Sequence, residues 1–155
     1  GGEQAACPVF PRAIVELLRE TGVSFRGERA VIVVNSNIIG RVLCFALSLE
    51  GLIPEYVLSA EGHDAIAAET KTARVVVTAC GIPDLLTAEM LSSDAVVIDG
   101  GNIHVDGKVQ GDVKRDEVEE KVAFLSPVPG GVGPVTVATL LARVTDAALI
   151  ISGDV

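Results

Sequence analysis

AVIVVNSNIIGRVLCFALSLEG, residues 30–51, is the stretch that decides the fold. Residues 30–34 are apolar without alternation, with charge before them and Asn35-Ser36-Asn37 after. A half-buried strand alternates apolar and polar positions, so this unbroken run predicts a strand covered on both faces. From Ile38 the segment has helical length and stops at Gly51, a residue that often ends helices because it tolerates left-handed backbone. Strand, turn and helix in immediate succession form the unit of parallel α/β sheets.

The same punctuation recurs on both sides. Upstream, PRAIVELLRETG puts Pro11 at the expected first helical position, lines one face with Ile14, Leu17 and Leu18, and closes at Gly22. Downstream, PEYVLS (54–59), RVVVTA (74–79), AVVID (95–99) and KVAFLS (121–126) are predicted strands. DAIAAETK (64–71), TAEML (87–91), RDEVEEKV (115–122) and VTVATLLARVTDAAL (135–149) are predicted helices or helical turns. IHVDGKVQ (103–110) has the form of a hairpin turning at Asp106-Gly107. The expected fold is therefore α/β: a Rossmann-like, doubly wound, mainly parallel sheet with helices on both faces. A lead-in segment over 1–10 is expected before a single domain over 11–150.

Composition narrows the function. The 155 residues are 49% hydrophobic with no Trp and one Tyr, so the core is built from Val, Ile, Leu and Ala. A formal net charge of -9 opposes contact with nucleic-acid phosphates or an anionic membrane. No apolar run of bilayer-spanning length is expected, since IIGRVLCFALSL is broken by Arg41. Cys7, Cys44 and Cys80 form no CxxC pair, and His63 and His104 have no zinc-type spacing, so no metal site is expected. Reduced, buried thiols and a start without signal-peptide features imply an intracellular compartment, cytoplasm or mitochondrial matrix.

Ligands of open parallel sheets bind beyond the carboxyl ends of the strands. VNSNIIG, ACGIP, DGGNI and SPVPGGVGP all arrive at that edge, and three of the four are rich in glycine. VNSNIIG precedes a helix whose amides and dipole suit an anion, with Ser36 and Asn37 placed to cap it. Only Gly40 remains of a GxGxxG fingerprint, so a plain capped turn accounts for this segment equally well. In SPVPGGVGPVT (126–136), three prolines fix the path and three glycines let another molecule approach the backbone. Asp99 is placed to accept a hydrogen bond from a ribose or a loop amide, and His104 lies just past DGGNI. RDEVEEK is a solvated helical face.

In order, PVFP, CGIP, VIDGGNI with GDV after it, and VPGGVGPVT resemble the bifunctional methylenetetrahydrofolate dehydrogenase/cyclohydrolase family. The resemblance runs over about residues 8–147 and concerns only the family's C-terminal, NAD(P)-binding half. It implies that Pro129, Gly130, Gly131, Val132 and Gly133 form a substrate-side wall near pterin and nicotinamide, with Thr136 behind. It implies cofactor contacts at Val34, Asn35 and Ser36, at Glu61, at Gly81 of CGIP, and at Gly101, Asn102 and Ile103. Asp112 of GDV matches a residue with a structural role.

The departures from that pattern are specific. Val34 replaces a glycine of the cofactor turn, Asn35 replaces the arginine expected on a 2'-phosphate, and Glu61 stands where a phosphate-binding serine is expected. A carboxylate repels a 2'-phosphate and accepts from a ribose hydroxyl, so NAD is favoured over NADP if either binds. No Tyr-xxx-Lys occurs, since Tyr56 is followed at that spacing by Ala60, so no catalytic residue is assigned. The expected function is the nucleotide-binding domain of a methylenetetrahydrofolate dehydrogenase/methenyltetrahydrofolate cyclohydrolase, inactive as this chain alone. Folate would be its substrate only if a catalytic half is supplied, and a protein partner or homodimer is expected. The alternative is a degenerate, non-catalytic member serving as a structural subunit of a larger assembly.

Overall fold

The computed structural model describes residues 8–152; Cys7 and most of the lead-in expected over 1–10 lie outside them. Helix α1 (Val9–Glu20) leads into strand β1 (Arg29–Val34), helix α2 (Asn37–Leu49) and strand β2 (Ile53–Leu58). Helix α3 (His63–Thr70), strand β3 (Val75–Ala79), a 3-10 turn (Ala88–Met90) and strand β4 (Val96–Asp99) follow. The hairpin β5 (Ile103–Val105) and β6 (Lys108–Gln110), helix α4 (Arg115–Val118), strand β7 (Phe124–Leu125) and helix α5 (Val132–Ser152) complete the order. The main sheet runs β2-β1-β3-β4-β7, every neighbouring pair parallel.

Strand alternation divides the core in two. Ala30, Ile32 and Val34 of β1, with Val75, Val77, Val96 and Ile98, pack against α1 and α2 through Ile14, Leu18, Leu43 and Leu47. Val31, Val33, Val76 and Val97 face the other way, onto Ile66, Leu86, Met90 and Val118. Both faces of β1, β3 and β4 are covered, which is why these strands carry no polar alternation. The doubly wound reading holds.

Several boundaries differ from the sequence reading. Helix α1 starts at Val9, so Pro11 is its third residue rather than its first. Proline fits there because the amides of a first turn have no intrahelical partner to lose. The helix expected over 115–122 is ordered only over Arg115–Val118, and the strand expected over 121–126 only over Phe124–Leu125. The hairpin turn is as expected, with φ of 50° at Asp106 and 78° at Gly107.

Helix α5 carries the largest correction. Over Val132–Ile151 it has a mean hydropathy of 1.6 and is long enough, by length and composition, to cross a bilayer. The sequence reading missed it because it began the helix at Val135 and stopped at Leu149. Val135, Thr136, Thr139 and Arg143 are half-buried, while Val137, Leu140, Leu141 and Val144 are exposed. One stripe of α5 is partly covered and the adjoining apolar stripe is bare.

Candidate functional site

At the carboxyl edge, two buried carboxylates tie the loops together. Asp99 ends β4, and its Oδ1 accepts from Gly101 N–H at 2.9 Å, Asp112 N–H at 3.0 Å and the Thr78 hydroxyl at 3.2 Å. Its Oδ2 accepts from Val113 N–H at 3.0 Å. Asp112 in turn accepts from Cys80 N–H and Ile82 N–H, both at 2.8 Å. The Asp99 amide donates to Ser126 Oγ at 2.8 Å, which brings in the start of the proline-glycine loop. Burial pushes the Asp99 carboxyl above its ordinary range, against the pull of its three amide donors. Burial, with the nearby Asp112 charge, pushes the Cys80 thiol up to about 11, so it is an inert thiol. Of the roles open to Asp99, the structure assigns the loop-amide one, and Asp112 is structural as expected.

Above this clasp lies a cleft of about 480 Å³, bounded by Phe10, Gly100 to Asn102, Pro127 to Pro134 and Thr136. It brings together Gly101, Asn102, Pro129, Gly130, Gly131, Val132, Gly133 and Thr136 of the expected site. Exposed His104 stands at its rim, while Ile103 sits on β5 outside its lining. The three glycines of the loop stand in three different situations. Gly130 has φ +111°. Gly131 has ordinary φ, but a Cβ there would lie 2.5 Å from the Pro127 carbonyl oxygen. At Gly133 a Cβ would meet nothing within 4 Å, so the fold does not demand glycine there. Thr136 Oγ1 donates to the Val132 carbonyl at 2.7 Å, one turn back in α5.

The β1–β2 end is built differently. Val34 is fully buried among the core residues under α1 and α2, so its side chain does not project into the turn as the sequence reading had it. Asn35 Nδ2 donates to the Cys80 carbonyl at 3.0 Å, which turns the side chain toward β3. Ser36 is the N-cap residue of α2, yet neither it nor any other side chain caps the helix. Instead Tyr56 lies over Gly40, where a Cβ would come within 2.6 Å of its ring, and its hydroxyl donates to Asn37 Oδ1 at 3.0 Å. Glu61 follows β2 and accepts from Leu58 N–H at 2.9 Å. Val34 and Leu58 are register partners, so Asn35 and Ser59 leave the sheet side by side. Gly81, with φ +68°, turns the chain after β3 between the two residues that donate to Asp112.

Sequence reasoning missed Phe10, Gly111 and Ser126. A Cβ on Gly111 would collide with the Asp99 carboxylate, and the GDV motif was its only local signal. A second cavity, of about 450 Å³, lies beyond Ser126 and Val128 among Asp84, Arg115, Asp116 and Glu119. Its Arg115 is engaged with Glu119 at 2.6 Å.

Residues 8–151 match the family described as Tetrahydrofolate dehydrogenase/cyclohydrolase, NAD(P)-binding domain. The chain belongs to that family, as its NAD(P)-binding domain. Within the tetrahydrofolate dehydrogenase/cyclohydrolase family it is 43% identical over 148 residues to the bifunctional protein FolD of Methanosphaerula palustris, covering 96% of this chain and 52% of that protein. The crystal structure of the bifunctional FolD enzyme from Campylobacter jejuni superposes with a TM-score of 0.83 at 33% identity, covering 91% of this chain and 50% of that one. The Trypanosoma brucei FolD structure, complexed with NADP and an inhibitor, gives 0.82 at 36% identity, covering 90% and 49%. The chain thus spans about half the length of the relatives it matches.

Proposed function

We propose that this chain forms the nucleotide-binding wall of a methylenetetrahydrofolate dehydrogenase/methenyltetrahydrofolate cyclohydrolase. The observation that carries the reading is a half-walled cleft that opens onto a bare helix. Gly133, Pro134, Thr136 and Val137 of α5 line the cleft, and the uncovered stripe of Val137, Leu140, Leu141 and Val144 continues outward from it. A second layer of protein on that stripe would bury apolar surface and close the cleft in one step. The half of the relatives that this chain does not span is the occupant of that face.

The residues fit a dinucleotide in part. The open space at Gly133 and the glycine-lined cleft suit a flat ring, and the α2 amides, free of a side-chain cap, suit a phosphate. When bound, the nicotinamide supplies a hydride acceptor for methylenetetrahydrofolate. This chain's own residues bind and orient it: the Asp99 clasp fixes Gly101 and the loop from Ser126, and Pro127 to Gly133 exclude water from one side. None of them is placed to move a proton on the folate, which needs a group within hydrogen-bond reach. With Asn35 turned to Cys80 and the Glu61 carboxylate at the end of β2, neither of these residues offers a cation to a 2'-phosphate, so NAD is preferred to NADP.

Two measurements test this. An absorbance assay for methenyltetrahydrofolate hydrolysis and for hydride transfer gives no turnover above buffer with the chain alone; turnover overturns the assignment of catalysis to the other half. Calorimetry with Asn35→Arg/Glu61→Ser gives NADP affinity about tenfold above that of the unsubstituted chain. Unchanged NADP affinity removes the charge argument. A purely structural subunit, the second reading favoured by the altered turn, binds neither dinucleotide in either form.

A further inference from the structure

Phe10 enters the cleft from α1, with its neighbours on the helix turned elsewhere. The side chain is half-buried: it packs on the core under α1 and contributes its remaining surface to the cleft. A methyl group on Gly100 would lie 2.9 Å from Phe10 Cζ and 3.5 Å from Cε2, so the ring rests on bare backbone. The cleft keeps its volume of about 480 Å³ with the ring in place, which makes Phe10 a wall and not a plug. The rest of the cleft is lined by Gly100, Gly101, Gly130, Gly131 and Gly133, by proline rings, and by side chains that include Asn102, Val132 and Thr136. No Lys or Arg lies among the described residues that line the cleft.

A glycine-rich slot with one phenyl ring in its wall suits a planar guest. The face of a phenyl ring carries negative partial charge, so it prefers an electron-poor or cationic ring. We propose that Phe10 is the stacking platform for the cationic ring of an oxidised nicotinamide and sets the preference of this cleft for that ring. The proposal rests on the dinucleotide reading and adds the residue that holds its reactive end.

The chain is titrated with oxidised NAD and with ADP-ribose, which has the same adenosine and pyrophosphate but no nicotinamide. NAD binds about three- to tenfold more tightly than ADP-ribose, the range of an aromatic pair. Phe10→Leu, which keeps apolar bulk on the core, abolishes that difference and leaves ADP-ribose affinity unchanged. An unchanged ratio in Phe10→Leu overturns the platform, and so does tighter NAD binding by that variant, which would make Phe10 an obstruction. Failure of the dinucleotide reading looks different, because neither ligand then binds. The platform is in that event judged with 1-methylnicotinamide at millimolar concentration. Upfield shifts of its ring protons with the unsubstituted chain, absent with Phe10→Leu, support the proposal, and no shift with either overturns it.

Discussion

At the β4–β7 end of the sheet the backbone is bare and the space beside it is open. At the β1–β2 end, which the same fold holds in the same plane, side chains turn inward or bond one another. Gly101, Gly130, Gly131 and Gly133 line a cleft, whereas Val34 is core, Asn35 is bonded to Cys80 and Tyr56 covers Gly40. Both ends follow strands of one parallel sheet, so the difference lies in the loops and not in the architecture. On the reading proposed above, the ring-binding end of a dinucleotide site and its ribose-phosphate end are separable, and this chain furnishes the first more fully than the second.

The clasp under the open end should be the most sensitive point. Asp99→Ala leaves three amides and the Thr78 hydroxyl without their buried acceptor and should cost about 3–5 kcal/mol in urea unfolding. A loss under about 1 kcal/mol would mean that the loops are held by other contacts. At the closed end, Val34→Gly should cost about 3 kcal/mol from the lost buried side chain and added chain freedom. It should leave NAD affinity as it was; a gain in affinity would return Val34 to the cofactor turn.

Within the open end two glycines sharpen the contrast. Gly131→Ala should destabilise by about 1–3 kcal/mol, since its Cβ meets the Pro127 carbonyl. Gly133→Ala should stay within about 0.5 kcal/mol of the original in stability yet weaken NAD binding. The reverse order would show that the fold, not the ligand, requires Gly133. The smallest effect concerns Cys80, whose thiol is raised from 9.0 to about 11. A folded-state pKa above the unfolded one gives stability that is full below pH 9.0 and is lost as pH rises through about 11. Cys80→Ala should flatten that part of the stability profile, and an unaltered slope would assign it to other groups.

How much of this was legible beforehand follows from what local pattern encodes. AVIVV, VVVT and VVID announced strands covered on both faces because burial on two sides removes alternation. The glycine-rich loops announced the cleft at the sheet edge because glycine spacing survives in the sequence whatever surrounds it. The direction of a side chain at the end of a strand is not written locally, so Val34 was read as lining the turn when it belongs to the core. Phe10 was passed over because it precedes the expected start of its helix and meets Gly100 only through tertiary packing. The bare stripe of α5 was invisible for the same reason: apolar residues at helical spacing look alike whether or not something covers them.

The central claim is that a dinucleotide binds at this edge with its ring in the cleft and with a preference against a 2'-phosphate. Titration of the isotopically labelled chain with NAD and NADP, followed by amide NMR, tests it most directly. The account predicts shifts at Gly100 to Asn102 and Gly130 to Gly133, with NAD binding more tightly than NADP. Amides at these positions that stay unmoved by either dinucleotide at millimolar concentration, or tighter binding of NADP, would contradict it.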